Sequence, residues 1–254
     1  MGVTKPYYRT ARQFADGFYS EGGRSRYIDH PSYADAPSNY IRAFLLIQTD
    51  LQTIFEYIEP SDQNLQAYSF RTYELLLRTC TEVEANFKAI FRANTYSSRN
   101  GDRLNMRDDY VRIERSHFLS QYEVKMPYWS DGNPFRRPFA GWGNGNHALP
   151  WYQAYNTSKH DRVQELRAAT FTHLIDAFCG LAVVLTAQFL SHDFGPANDV
   201  ITAEGIGDGC EEGIGQYVRL RYPSNLPTDA RYDFTWQDLQ KTSDPFEKFD
   251  YNAV

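Results

Sequence analysis

Cysteine and methionine are scarce in this chain of 254 residues, with three of each. The cysteines, Cys80, Cys179 and Cys210, are odd in number, stand far apart and show no C-x-x-C spacing. A disulfide framework and a zinc ribbon are therefore excluded, and a cytoplasmic location is expected. Positive charge is also short: 26 Lys and Arg against 32 Asp and Glu leave a formal net charge of −6. A protein that neutralises duplex phosphates through a broad basic face needs the opposite balance, although a local basic cleft remains open. No H-x-x-x-H or H-E-x-x-H pattern, G-x-S-x-G elbow or P-loop is present. The glycine series GIGDGCEEGIG at 205–215 is followed by no Lys-Ser/Thr pair, so no metal and no cofactor is expected. The N-terminus lacks the apolar run of a signal peptide, and its Met-Gly start has Pro6 where acylation wants Ser or Thr. The longest uncharged apolar stretch, Ala177 to Leu190, is too short to cross a bilayer and reads as a buried helix end, so no membrane partner is expected.

What the chain has in quantity is flat rings, 19 Tyr and 17 Phe, within a 42% hydrophobic composition that suffices for one sizeable core. Residues 1–38, rich in Gly, Ser, Tyr and Pro, read as an arm that wraps the body. A first helix is predicted over Asn39 to Ile58, its apolar face running through Ile41, Phe44, Leu45, Leu51 and Phe55 until Pro60 ends it. A second covers Ser69 to Asn94, with Leu76, Cys80, Val83, Phe87 and Ile90 as its stripe. A third is expected over Asn105 to Ser120, followed by a short strand in QYEVKMPYW. Residues 130–150, with their glycines and prolines, read as a long non-helical loop. A fourth helix starts within Trp151 to His160, or at Asp161, and runs to about Leu190. Beyond residue 193 the chain turns Gly-rich and Pro-rich, QYVRLRY at 216–222 alternates as a strand, and Phe234, Trp236 and Phe246 are expected to pack back onto the body. The expected architecture is mainly α: a bundle of four to five helices over 39–192, an irregular arm over 1–38, and an extension over 193–254 with one or two short strands.

One stretch concentrates chemistry, WYQAYNTSKHDR at 151–162. In a helix Asn156 and His160 lie four apart on one face, with Lys159 and Arg162 beside them. These are groups that metal-independent RNA cleavage uses: an imidazole to move the proton of a 2'-hydroxyl, a cation to stabilise a phosphorane, an amide to orient the phosphate. The structural alternative is that Asn156 or Asp161 caps a helix while the cations face water. Glu84, on the apolar stripe of the second helix, needs a partner, and Lys159, His160 or Arg162 are the expected ones, as a catalytic dyad or as an ion pair clamping two helices. His173, at core spacing, reads as a satisfied interior histidine. Trp142, Trp151, Tyr152 and Tyr155 could stack bases or plug the end of the bundle.

The segments RTCTEVEANFK (78–88) and WYQAYNTSKHDR, an acidic E-x-E in one helix and YN-x-x-KH-x-R leading another, resemble those of uncharacterised bacterial proteins. More distantly they resemble the HEPN superfamily of helical bundles found in toxin-antitoxin and phage-defence systems, over roughly residues 40 to 192. The resemblance implies a metal-independent endoribonuclease or nucleotide-binding protein whose cleft is often shared across a homodimer, with an antitoxin or defence component as protein partner. HEPN ribonucleases carry Arg-x(4 to 6)-His, commonly with a polar residue after the arginine. Here Asn156 and His160 match the polar residue and the histidine, while Tyr155 stands in the arginine's place, which leaves Lys159 or Arg162 to supply the cation. The opposed reading is a non-catalytic interaction module in which these residues form a buried polar clamp.

Overall fold

Every residue from Ala177 to Phe189 is buried, so the fold is organised around that stretch of helix. The structure, a computed structural model, describes residues 2–98, 101, 103–145, 148–192, 194 and 209–254, the side chain of Arg162 excepted. In chain order the long helices are α1 (Pro37–Phe55) and α2 (Phe70–Ala93). Single turns form α3 (Glu114–His117) and α4 (Ala140–Gly143), and α5 (Pro150–His160) and the short α6 (Arg162–Glu165) lead to α7 (Phe171–Phe189). A last turn, α8, spans Trp236–Leu239. By length and composition α7 passes for a membrane span, with mean hydropathy 1.4, yet 83% of that window is buried inside the fold. The uncharged stretch from Ala177 is only its inner part, since the helix begins six residues earlier at Phe171.

α7 packs on α2, α1 and α5. Phe44 of α1 stacks on Phe178 at 5.3 Å between ring centroids. Facing α5, Gly180 lets the rings of Trp151 and Phe139 approach the helix backbone. The chain is mainly α, as its periodicity indicates, but two of the predicted helices are corrected. The third, Asn105 to Ser120, is reduced to a 3-10 turn at Tyr110–Ile113 running into α3. Asn105 Oδ1 accepts the amides of Arg107 and Asp108, and Asp109 Oδ2 accepts that of Asn105, so side chains take donors that a helix would need. α3 then stops at Phe118, which is left-handed (φ 52°).

The fourth helix is interrupted between His160 and Phe171. Asp161 leaves helical geometry (φ −138°, ψ 73°) and its carboxylate accepts the Gln164 amide, capping α6. α7 restarts where the 65–67 loop satisfies its first amides: Phe171 N donates to Ala67 O at 2.7 Å and Thr172 N to Leu65 O at 3.0 Å.

The two predicted strands exist and pair with each other. β1 (Glu123–Lys125) lies antiparallel to β4 (Arg219–Arg221), with Val124 opposite Leu220. Two short strands extend the sheet, β2 (Phe135–Arg136) and β3 (Glu211–Glu212), in the order β2-β1-β4-β3. β2 and α4 both fall within 130–150, which is therefore not wholly irregular.

Residues 9–14 are buried and thread between the body and the C-terminal segment. Ala11 N donates to Ala187 O at 2.8 Å, Tyr232 N to Gln13 O at 3.0 Å, and Glu247 N to Pro6 O at 3.0 Å. The arm thus contributes to the same hydrophobic core as the helices. The three C-terminal rings expected on the body meet rings of the arm instead: Phe234 packs on Phe14 (5.1 Å), Trp236 on Tyr27 (6.3 Å) and Phe246 on Tyr8 (5.1 Å).

Candidate functional site

α5 sorts its residues by face. Pro150 opens it, where a missing N–H costs nothing. Trp151, Tyr152, Ala154, Tyr155 and Ser158 are buried, a stripe at three and four residue spacing, while Gln153, Thr157, Lys159 and His160 are exposed and Asn156 is half-buried. The buried indole of Trp151 donates to Pro138 O at 3.0 Å, and Ser158 Oγ turns back to Ala154 O at 2.7 Å. The rings at 142, 151, 152 and 155 are all buried and present no open face to a base. They form the plug between α5, α2 and the 139–142 turn.

The inner half of the motif is a polar clamp between α5 and α2. Tyr152 OH donates to Glu84 Oε1 at 2.8 Å, and Lys88, one turn along α2, lies 3.9 Å from Glu84 Oε2. Lys159 folds back over its own helix, donating to Tyr155 OH at 2.8 Å with its ammonium 4.8 Å from that ring's centroid. Burial and the nearby Glu84 charge push the Tyr152 hydroxyl far above the ordinary phenol range, so it stays a donor. Burial raises Tyr155 as well, against the pull of Lys159, and the same hydrogen bond raises Lys159. The Cys80 thiol beneath is pushed up by burial and by Glu84, which makes it inert as a nucleophile. Glu84 therefore takes Tyr152 and Lys88 as its close partners in place of the expected Lys159 or His160, and the third expected partner, Arg162, has its side chain outside the described residues. Tyr152 was read from sequence only as a ring, and Lys88 not at all, although Glu84-x-x-x-Lys88 is the ordinary helical pair spacing.

The outer half is different in kind. The side chains of Asn156 and His160 make no hydrogen bond or ion pair among the described residues. Asp161 caps α6, and the Arg162 side chain lies outside the described residues. Just beyond stands Val163, an apolar side chain that is 80% exposed. His173 is satisfied within its own turn, its Nδ1 lying 2.9 Å from Ala168 O and 3.1 Å from Thr170 Oγ1. No group of three His, Cys, Asp or Glu converges as a metal site among the described residues. Comparison with family models, with curated proteins and with solved structures finds no match to this chain.

Proposed function

We propose that the chain is an RNA-acting, HEPN-like protein of a bacterial defence or stress system, cytoplasmic, with the outer face of the α5 C-terminus as its working surface. The observation that carries this reading is the division of the motif. Tyr152, Tyr155 and Lys159 are engaged internally, whereas Asn156 and His160, one turn apart, point outward with no internal partner. Polar groups with no structural employment on one helix face are available to a substrate. In a metal-independent cleavage His160 would take the 2'-hydroxyl proton. The 2'-oxygen would attack phosphorus, and the 5'-oxygen would leave with a proton from water or a second imidazole, giving a 2',3'-cyclic phosphate. Arg162 is then the cation of choice, since the Lys159 ammonium is already committed to Tyr155. The face is open, and the exposed Val163 beside it supports its being covered by a second copy or a protein partner.

The non-catalytic reading has its own support in the Tyr152–Glu84 hydrogen bond that joins α5 to α2, beside which Lys159 is held by Tyr155 within α5. One experiment separates the two. Wild type and His160→Ala are incubated in EDTA with labelled total RNA and with tRNA, and fragments are read on a gel. Cleavage by wild type alone supports the nuclease. Absence of cleavage by both, with unchanged melting of the variant, removes the enzyme reading and leaves the interaction module.

A further inference from the structure

A groove of about 1250 Å³ lies between residues 107–121, the segment from Arg137 to Gly145 and the turn at Pro227 to Ala230. No residue of α5 lines it. Four arginines do: Arg107, Arg112, Arg115 and Arg137, drawn from the charge-dense segment before β1 and from the loop after β2. Four carboxylates also line it, so the lining is not basic by count. What decides its character is how each group is already employed.

Two of the carboxylates are turned to internal donors. Asp109 accepts the Asn105 amide at 2.7 Å and the Tyr96 hydroxyl. Glu114 accepts Ser120 N at 3.0 Å and Ser120 Oγ at 2.6 Å, and its burial raises its proton affinity. The other two, Asp108 and Asp229, are exposed. Among the arginines, Arg112 is spent on carbonyls, its Nε on Asp108 O and its Nη1 on Tyr251 O and Val254 O. Arg115 is exposed and makes no hydrogen bond or ion pair among the described residues. Arg137 uses one nitrogen, Nη2, on Ser120 O at 3.2 Å, and makes no other bond among them. The groove therefore presents two guanidinium groups from separate elements with donors to spare, while two of its four carboxylates are occupied. Planar forks of this kind match the oxygen geometry of phosphate.

We propose that this groove binds a phosphate-bearing ligand, a nucleotide or the backbone of a single-stranded RNA, held by the guanidinium groups of Arg115 and Arg137. The assignment is independent of the reading of α5, because binding here is measured without cleavage and either can fail alone. The full chain is titrated into a short fluorescein-labelled single-stranded RNA and, separately, into fluorescent ATP, following anisotropy. Inorganic phosphate serves as competitor.

Arg115→Ala is the decisive variant because it breaks no internal bond. It is expected to weaken binding by about tenfold and, for RNA, to flatten the salt dependence by roughly 0.7 in logarithmic slope. Arg137→Lys tests the second fork, with circular dichroism as the folding control. Arg71→Ala, an exposed arginine on α2, should leave binding unchanged. RNA binding alone identifies a backbone track and ATP binding alone a mononucleotide site; either supports the proposal if Arg115→Ala weakens it. Binding of neither probe, wild-type affinity in Arg115→Ala, or equal weakening by Arg71→Ala overturns it.

Discussion

The hydroxyl of Tyr152 donates to Glu84 Oε1 at 2.8 Å, joining α5 to α2 through a carboxylate whose side chain is only 19% exposed. Removing the donor leaves Glu84 with Lys88 at 3.9 Å and no short side-chain hydrogen bond among the described residues. Tyr152→Phe should therefore cost about 1–2 kcal/mol, because a partly buried acceptor loses its partner. Urea unfolding of Tyr152→Phe, Glu84→Gln and the double variant gives the coupling. A coupling near zero would mean that the clamp contributes nothing and that Glu84 is held by Lys88 alone.

Acid should unfold the protein partly through His117. Its imidazole is fully enclosed, with Nε2 2.8 Å from Arg9 O and Nδ1 2.6 Å from Ser116 Oγ, which in turn meets Tyr251 OH at 2.6 Å. Burial pushes its pKa down to about 3, helped by the charges of Arg12 and Arg9 and opposed by the Arg9 carbonyl. A depressed basic group stabilises the fold while neutral. That stability is complete above its ordinary value of 6.5 and is lost as pH falls toward 3. The loss is on the order of 4 kcal/mol. Melting followed from pH 7 to 4, with the histidine resonance observed by NMR, checks it; protonation of His117 near 6 in the folded state would refute it.

The helices α1 and α2 were legible because one apolar stripe each decides their burial: Phe44 and Leu51, then Leu76, Val83 and Phe87, all lie in the core. Strands β1 and β4 were legible as alternation, but not as partners, since nothing local links residue 124 to residue 220. The N-terminal segment was legible as an arm wrapping the body, but not as part of the core. Arg9 and Arg12 look like surface residues, yet they are buried with their donors on distant groups, Gln188 Oε1 for one and the carbonyls of Ser116 and Ala230 for the other. The break before α7 was hidden likewise, because its first amides are satisfied by Leu65 and Ala67. At the site, the face carrying Asn156 and His160 could be read from spacing, whereas the partner of Glu84 could not. A cation was the obvious choice, and Lys159 had a nearer acceptor one turn back in its own helix.

Asp176 should give a pH response of opposite sign. Its carboxylate, 29% exposed on α7, lies 3.8 Å from Arg136 Nε, and the guanidinium of Arg136 stacks over Trp129 at 4.5 Å. Burial pushes its pKa up to about 6, against the pull of Arg136 and His173. An acid raised in the folded state stabilises it while protonated. The contribution is full below its ordinary value of 3.8 and is lost as pH rises to about 6. Asp176→Asn keeps the shape and removes the charge, so its stability relative to wild type should rise between pH 4 and 6.5 by an amount on the order of 2 kcal/mol and stay level above. A flat difference across that range would show that Arg136 fully compensates the carboxylate.

Gly180 of α7 lies against the Trp151 indole of α5, with little room for a side chain. A Cβ there would sit 3.3 Å from Trp151 Cζ2 and 3.6 Å from Phe139 Cζ and Pro138 Cβ. Alanine at this position regains about 1 kcal/mol of helix propensity, which the tight contact offsets, so Gly180→Ala should change stability by less than about 1 kcal/mol. Valine cannot be placed without moving the indole, and the indole is pinned by its hydrogen bond to Pro138 O. Gly180→Val should cost about 2–3 kcal/mol. If the indole is the obstacle, Trp151→Phe, which shortens the ring, should make the double variant more stable than the sum of the single effects by about 1 kcal/mol. Strict additivity would place the obstacle on the Pro138 and Phe139 side instead. Because α5 carries Asn156 and His160 outward from this contact, Gly180→Val should also lower any RNA cleavage at temperatures where the protein remains folded.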